Sequence, residues 1–198
     1  EELAALNHIT ALATRWLDEL RLLLNETKRG QFPPVRNHRL VEVVRAIREL
    51  LKEKPSAKLL IFSTWYTTLL ELREVLKSIY GGSAIAEFHV SVDPEAMQSE
   101  VNKFQANPEC RFLLCDELGG EGRNFQIADY ILHVDIPWTP AVLEQRIGRV
   151  DRLGRVDPVV SKVFYGDGQI DHALFQIWQE AFGIFTQSLS GMEIALET

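Results

Sequence analysis

Five short apolar runs, each separated from the next by a turn and most by a helical stretch, constrain this chain more than anything else in it. They are "KLLIFST" (58–64), "AIAEFHV" (84–90), "RFLLCD" (111–116), "YILHVDI" (130–136) and "VSKVFYG" (160–166). A run that is apolar at consecutive positions, rather than at alternate ones, suits a strand buried on both faces. Strands of that kind, alternating with helices at short spacing, predict a mostly parallel sheet with helices packed on both sides. The helices between them carry their own signals. "TTLLELREVLKSIY" is closed by Gly81 and Gly82. "DPEAMQSEVNKFQ" opens with Asp93 as cap and Pro94 in the first turn. "TPAVLEQRIGRVDRLG" (139–154) opens with Thr139 and Pro140 in the same roles.

Further helices flank this core. Leu3, Leu6, Ile9, Leu12, Trp16, Leu20 and Leu24 fall three or four apart, as on an amphipathic helix, and Pro33 and Pro34 follow it. A second helix is predicted from about Leu40 to Lys54, and a last one from Ile170 to Leu189. The expected organisation is a helical brace or linker over 1–36, an α/β domain over 37–168 and a C-terminal helix over 169–198. The chain starts at Glu1 with no signal-peptide pattern, and reads as a piece of a longer protein. No apolar run approaches the roughly 20 residues of a membrane span. Cys110 and Cys115 form neither a zinc pattern nor a disulfide framework, and read as reduced thiols. His89 and His133 read as core or edge histidines, Trp16 and Trp178 as core. Trp65 and Trp138 fall at carboxyl ends of strands, divided between packing and lining a cleft.

Ligands of such sheets bind in the loops beyond the carboxyl ends of the strands. Two of those loops carry chemistry. "EQRIGRVDRLGR" (144–155) places Arg146, Arg149, Arg152 and Arg155 three apart in a chain of net charge −7. Guanidinium groups are planar, always charged and forked, which suits phosphate. The alternative is a solvated basic face paired with Glu144, Asp151 and Asp157. Gly148 argues against it, since glycine inside a helix costs about 1 kcal/mol and suggests either that something large approaches the backbone there or that the helix starts loosely. The second loop, "DELGGEGRNFQ" (116–126), exposes backbone amides around Gly119, Gly120 and Gly122. It lacks the Lys–Ser/Thr of a Walker loop and the spacing of a dinucleotide fingerprint. Asp135 and Asp151 read as partners of neighbouring arginines.

Taken together, the loops resemble the second RecA-like lobe of a Swi/Snf-type superfamily-two helicase. "QRIGRVDRLGR" resembles that family's motif VI, "GGEGRNFQ" motif V, "KLLIFSTW" motif IV, and "VDIPWTP" the link between V and VI. The pattern is nearest to the bacterial and archaeal branch of RNA-polymerase-associated, RapA-like translocases. The resemblance implies a RecA-like three-layer α/β fold. It implies that Arg149 and Arg152 reach the phosphates of ATP, and that Gln145 couples nucleotide to motif VI. It implies that Gly122, Arg123 and Asn124 lie by the nucleotide, and that Ser63, Thr64, Trp65, Gly119 and Gly120 lie by the nucleic-acid backbone. Arg146 and Arg155 carry no family role and read as structural or as secondary phosphate contacts.

Three positions depart from the family. Asp116 stands where Ser or Thr is usual, and a carboxylate repels phosphate. His89–Val90 replaces a His/Asp–Gly pair, and Ala96–Met97 a Glu–Arg pair. The chain also has no Gly-Lys-Thr/Ser and no Asp-Glu-x-His. It therefore lacks the lysine and the magnesium carboxylate of a phosphoryl-transfer enzyme. The expected function is that of a second motor lobe of an ATP-dependent double-stranded DNA translocase. It would close over ATP and Mg2+ bound mainly by a first lobe of the same parent, with RNA polymerase as a further partner and a cytoplasmic, nucleoid-associated location. The alternative is a degenerate lobe that docks protein or nucleic acid without ATP turnover. A small phosphate-binding enzyme is disfavoured, because no nucleophile–base pair is visible.

Overall fold

A computed structural model of the chain describes residues 38–117, 124–150, 159–166 and 170–180. Helix α1 (His38–Glu53) leads into strand β1 (Leu59–Phe62), helix α2 (Tyr66–Tyr80), a 3-10 turn (Gly82–Ala84) and strand β2 (Ile85–Phe88). Helix α3 (Pro94–Ala106), strands β3 (Phe112–Cys115) and β4 (Tyr130–His133), helix α4 (Pro140–Gly148), strand β5 (Val160–Val163) and helix α5 (Ile170–Glu180) follow. The five strands are all parallel, in the order β2-β3-β1-β4-β5.

The apolar runs become strands for the expected reason. β1 and β3 are buried at every position. Their side chains divide between two cores. Leu59, Ile61, Phe112, Leu114 and Leu132 face α1 and α2, where Val43, Ile47, Leu69, Leu72 and Leu76 meet them. Leu60, Phe62, Leu113, Cys115 and Ile131 face the other way, against Val101 and Phe104 of α3 and against Phe125 and Val150. Burying one Leu or Phe in this way contributes about 1.5–3 kcal/mol. The sheet and its two helical faces make the three-layer sandwich the sequence predicts. A smaller cluster of Ile136, Leu143 and Trp178 joins α4 to α5.

The ordered strands are shorter than the apolar runs that announce them, four residues each. The turn signals fare unevenly. Asp93 caps α3 by accepting from the amide of Glu95, with Pro94 in the first turn. Gly81 closes α2 at φ 83°, in the left-handed region that suits glycine. Thr139 precedes α4, but its side chain makes no capping hydrogen bond. The helix predicted over 139–154 stops at Gly148 and continues as a turn through Arg149 and Val150. A Cβ on Gly148 would meet nothing within 4 Å, so this glycine marks the helix end and not a tight approach.

Lys58 anchors the base of the sheet. Its ammonium donates to the carbonyls of Phe104, Asn107 and Cys110, which ties the end of α3 to the start of β1. Cys110 and Cys115 are both buried and free, as read from their spacing, and burial raises both thiols above the usual cysteine range. The first helix, at 3–24, and Trp16 lie outside the described residues. Trp178 is core, its indole N–H reaching the carbonyl of Pro137 at 3.4 Å. Among the described residues, no helix is long and apolar enough to cross a membrane.

Candidate nucleotide and nucleic-acid interface

The carboxyl ends of β1, β3 and β4 lie side by side, because β1 pairs with both of the others in register: Phe62 opposes Cys115 on one side and His133 on the other. The residues just beyond them form one polar cluster. Ser63 is fully buried, and its hydroxyl donates to Oδ2 of Asp135 at 2.5 Å. The same carboxylate accepts the amide of Thr64 at 3.0 and 3.1 Å. Asp135 therefore holds the turn after β1, where the sequence suggested an arginine partner. The Thr64 hydroxyl donates to Glu117 at 3.2 Å.

Arg146 is the surprise of the row. It is only 2% exposed and is among the largest fully buried side chains. Its guanidinium lies 5.1 Å from the centre of the Phe62 ring, and Phe62 in turn stacks on His133. Nη2 donates to the Thr64 hydroxyl at 3.4 Å and lies 3.9 Å from Glu117. Nε and Nη1 are buried with no hydrogen-bond partner among the described residues. Burial lowers the arginine below its usual range, against the opposing pull of Asp135 and Glu117. Beside it, burial and then the Arg146 charge bring His133 down to about 3, so this ring is neutral at ordinary pH. His133 Nε2 meets the Ser161 hydroxyl at 3.0 Å. His89, the other histidine in question, is buried against Glu87 at 3.0 Å and edge-on to Tyr66.

The arginine row is thus not one cleft wall. Leu143, Ile147 and Val150 mark the apolar side of the segment, and Arg146 falls on that same side by helical spacing. Arg149 sits past the helix end, partly buried, with its Nε shielded and without a partner among the described residues. Its carbonyl accepts the amide of Phe125 at 3.0 Å, which binds the exit of the glycine-rich loop to the turn after α4. Gln145 is exposed. Asn124 is also exposed, and its side-chain carbonyl accepts the amide of Gln126 to form a local turn. Arg152, Arg155, Arg123, Gly119, Gly120, Gly122 and Asp151 lie outside the described residues.

Of the motif IV residues, Ser63 is inside and Thr64 is engaged, while Trp65 is 58% exposed. Trp138, after β4, is 56% exposed, so neither tryptophan is packing material in this lobe. Asp116, the departure from the family pattern, is buried and accepts the amide of Val90 at 2.8 Å. Its charge fastens the loop after β2 and is not presented to a ligand. Sequence reading passed over Glu117 entirely, and left the partners of Arg146 unnamed. A hint was present, since Arg146 shares helical phase with Leu143, Ile147 and Val150.

Comparison with known proteins agrees with the fold. The helicase conserved C-terminal domain family matches residues 42–154. The RNA polymerase-associated protein RapA of Vibrio atlanticus is 32% identical over 141 residues, 71% of this chain and 14% of that protein. The corresponding protein of Proteus mirabilis is 35% identical over 129 residues, 65% of this chain and 13% of that protein. The chain thus spans about a seventh of the length of the curated relatives it matches. Among solved structures, the C-terminal part of the Fun30 ATPase domain superposes with a TM-score of 0.60 at 22% identity, covering 68% of this chain and 44% of that one. The SWI2/SNF2 ATPase C-terminal domain of Sulfolobus solfataricus gives 0.56 at 19% identity, covering 82% and 66%. At these identities the two structures speak for the fold.

Proposed function

We propose that this chain, which belongs to the helicase conserved C-terminal domain family as a RecA-like lobe of Swi/Snf type, is the second motor lobe of an ATP-driven translocase on double-stranded DNA. The observation that carries the reading is Arg149. Its backbone is fixed by the Phe125 amide, and its Nε is sheltered without an acceptor among the described residues. A buried guanidinium nitrogen without an acceptor is costly, and an anion from outside would relieve it. A nucleotide phosphate fits that need in charge and in geometry.

When bound, ATP with its magnesium supplies the phosphoryl group that is transferred and the negative charge that must be balanced. On this reading the first lobe of the parent chain holds the magnesium, since this sequence lacks the lysine and carboxylate motifs for it. Arg149 and Arg152 would approach the phosphates as the lobes close, and stabilise charge on the transferred oxygens. Gln145 stands exposed on α4 and would sense the nucleotide. Trp65 and the loop carrying Gly119 and Gly120 would follow the DNA backbone, through contacts that are independent of sequence and weakened by salt. The relatives' name motivates RNA polymerase as a further partner and a nucleoid-associated, cytoplasmic location.

The test is DNA-stimulated ATP turnover of the full-length parent, wild type against Arg149→Ala and Arg152→Ala. Loss of roughly a thousandfold in kcat, with folding and DNA binding intact, is expected of residues that stabilise the transferred phosphoryl group. Unchanged turnover would overturn the motor reading and favour a docking module.

A further inference from the structure

Arg146 is inadequately partnered for its depth. A fully buried guanidinium usually has its donors met by carboxylates or carbonyls at hydrogen-bond distance, because an unpaired buried charge is expensive. Among the described residues Nε and Nη1 have no partner, and Nη2 has only the Thr64 hydroxyl at 3.4 Å and the Glu117 carboxylate at 3.9 Å. Asp135 and Asp116 lie close enough to influence its charge, but the hydrogen bonds they accept come from Ser63 and Thr64 and from the Val90 amide. Glu117 is the outermost member, with 46% of its side chain exposed, and it covers the Thr64 hydroxyl and the Nη2 edge of the guanidinium together.

We infer that Arg146 and Thr64 form a phosphate subsite for the DNA backbone, and that Glu117 occupies it as an internal anion when no DNA is bound. This rests on the translocase reading and names a contact within it. A carboxylate and a phosphate offer the same kind of acceptor to a guanidinium. Glu117 can leave at little cost, because its pair with Arg146 is long and half in water, and such pairs contribute little. Arg146 cannot leave, being held by Phe62 and by the packing of α4. Displacement of the carboxylate would free one hydroxyl and one guanidinium edge for the phosphate. Because Arg146 and Arg149 are one turn apart on the same segment, occupancy of the subsite would also be felt at the nucleotide side.

The test uses the full-length parent chain, fluorescein-labelled duplex DNA without nucleotide, and anisotropy titrations across a range of salt. Glu117→Gln is nearly isosteric and half-exposed, so its folding is not at risk. It should bind DNA roughly fivefold more tightly at low salt. The slope of log affinity against log salt should steepen by up to about 1, the value for one phosphate contact. The gain must depend on the subsite. It should disappear when Glu117→Gln is combined with Thr64→Val, which keeps the side-chain shape, or with Arg146→Gln. A gain that survives both combinations would be a general charge effect and would overturn the subsite. So would unchanged or weaker binding by Glu117→Gln. ATP turnover in the same preparations separates the two levels. Unchanged binding with normal DNA-stimulated turnover removes the subsite and keeps the motor. The expected binding pattern without any stimulation keeps the subsite and removes the motor. No DNA binding by any variant overturns both.

Discussion

The amide of Phe125 donates to the carbonyl of Arg149 at 3.0 Å. This bond ties the end of the glycine-rich loop to the turn that carries an expected phosphate ligand. Phe125 is fully buried and meets Phe88 edge-on, with ring centres 6.3 Å apart. Phe125→Ala should destabilise the chain by about 3–5 kcal/mol, as for other buried Phe truncations. It should also lower the parent's ATP turnover at temperatures where the variant is still folded. Urea denaturation and turnover on the same samples check this; the backbone bond survives the substitution, so a stable variant with lost turnover would show that the ring is needed to position the turn.

Lys58 should be intolerant of removal. Its ammonium serves three carbonyls at the end of α3 and in the turn before β3. Lys58→Met keeps the apolar stem but leaves those acceptors without a donor. A loss of about 3 kcal/mol is expected, from the cost of buried unmet acceptors. Chemical denaturation gives the value. A cost below that of an ordinary surface change would mean that water replaces the ammonium.

His133 should make stability depend on pH in a defined window. Its folded value of about 3 lies below the ordinary histidine value of 6.5. Between those two values the unfolded chain takes up a proton that the folded chain refuses. Stability should therefore fall as pH drops through this range, at up to about 1.4 kcal/mol per pH unit from this group. His133→Gln cannot titrate and should lose that part of the slope. Denaturation midpoints of the two proteins between pH 6.5 and 4.5 decide it, and parallel slopes would refute the assignment.

Asp171 should hold the last described helix in place. Its carboxylate pairs with Arg39 of α1 at 2.5 Å and accepts the Gly166 amide at 2.8 Å. Arg39 is partly in water, so breaking the pair should cost about 1–2 kcal/mol, below the value for fully buried pairs. Asp171→Ala should release α5 before the sheet. Amide hydrogen exchange would show faster exchange in α5 with the protection of β1 and β3 unchanged; uniform loss across all elements would contradict it.

The strand–helix alternation and the starts of the helices were legible because each rests on local chemistry. Asp93–Pro94 begins a helix wherever it occurs in such a context, and "LLIF" or "FLLC" is buried on both faces in any parallel sheet. Strand ends and the end of α4 were less so. Both are set by where neighbouring segments stop pairing, as at Gly148, and not by the segment alone.

What the sequence determined by itself was the class of fold, the order of its elements and which loops lie at their carboxyl ends. What only the tertiary structure decided was the division of labour among similar side chains. An apolar run says that a strand is buried but not which strands lie beside it. Only the order β3-β1-β4 brings Glu117, Thr64 and Asp135 to the same place, although they are far apart along the chain. Only the packing of α4 on that edge turns Arg146 fully inward and leaves Arg149 partly buried in the turn, so that two arginines of one motif meet different surroundings. Spacing fixes their relative phase, whereas depth and partners come from contacts between segments distant in sequence.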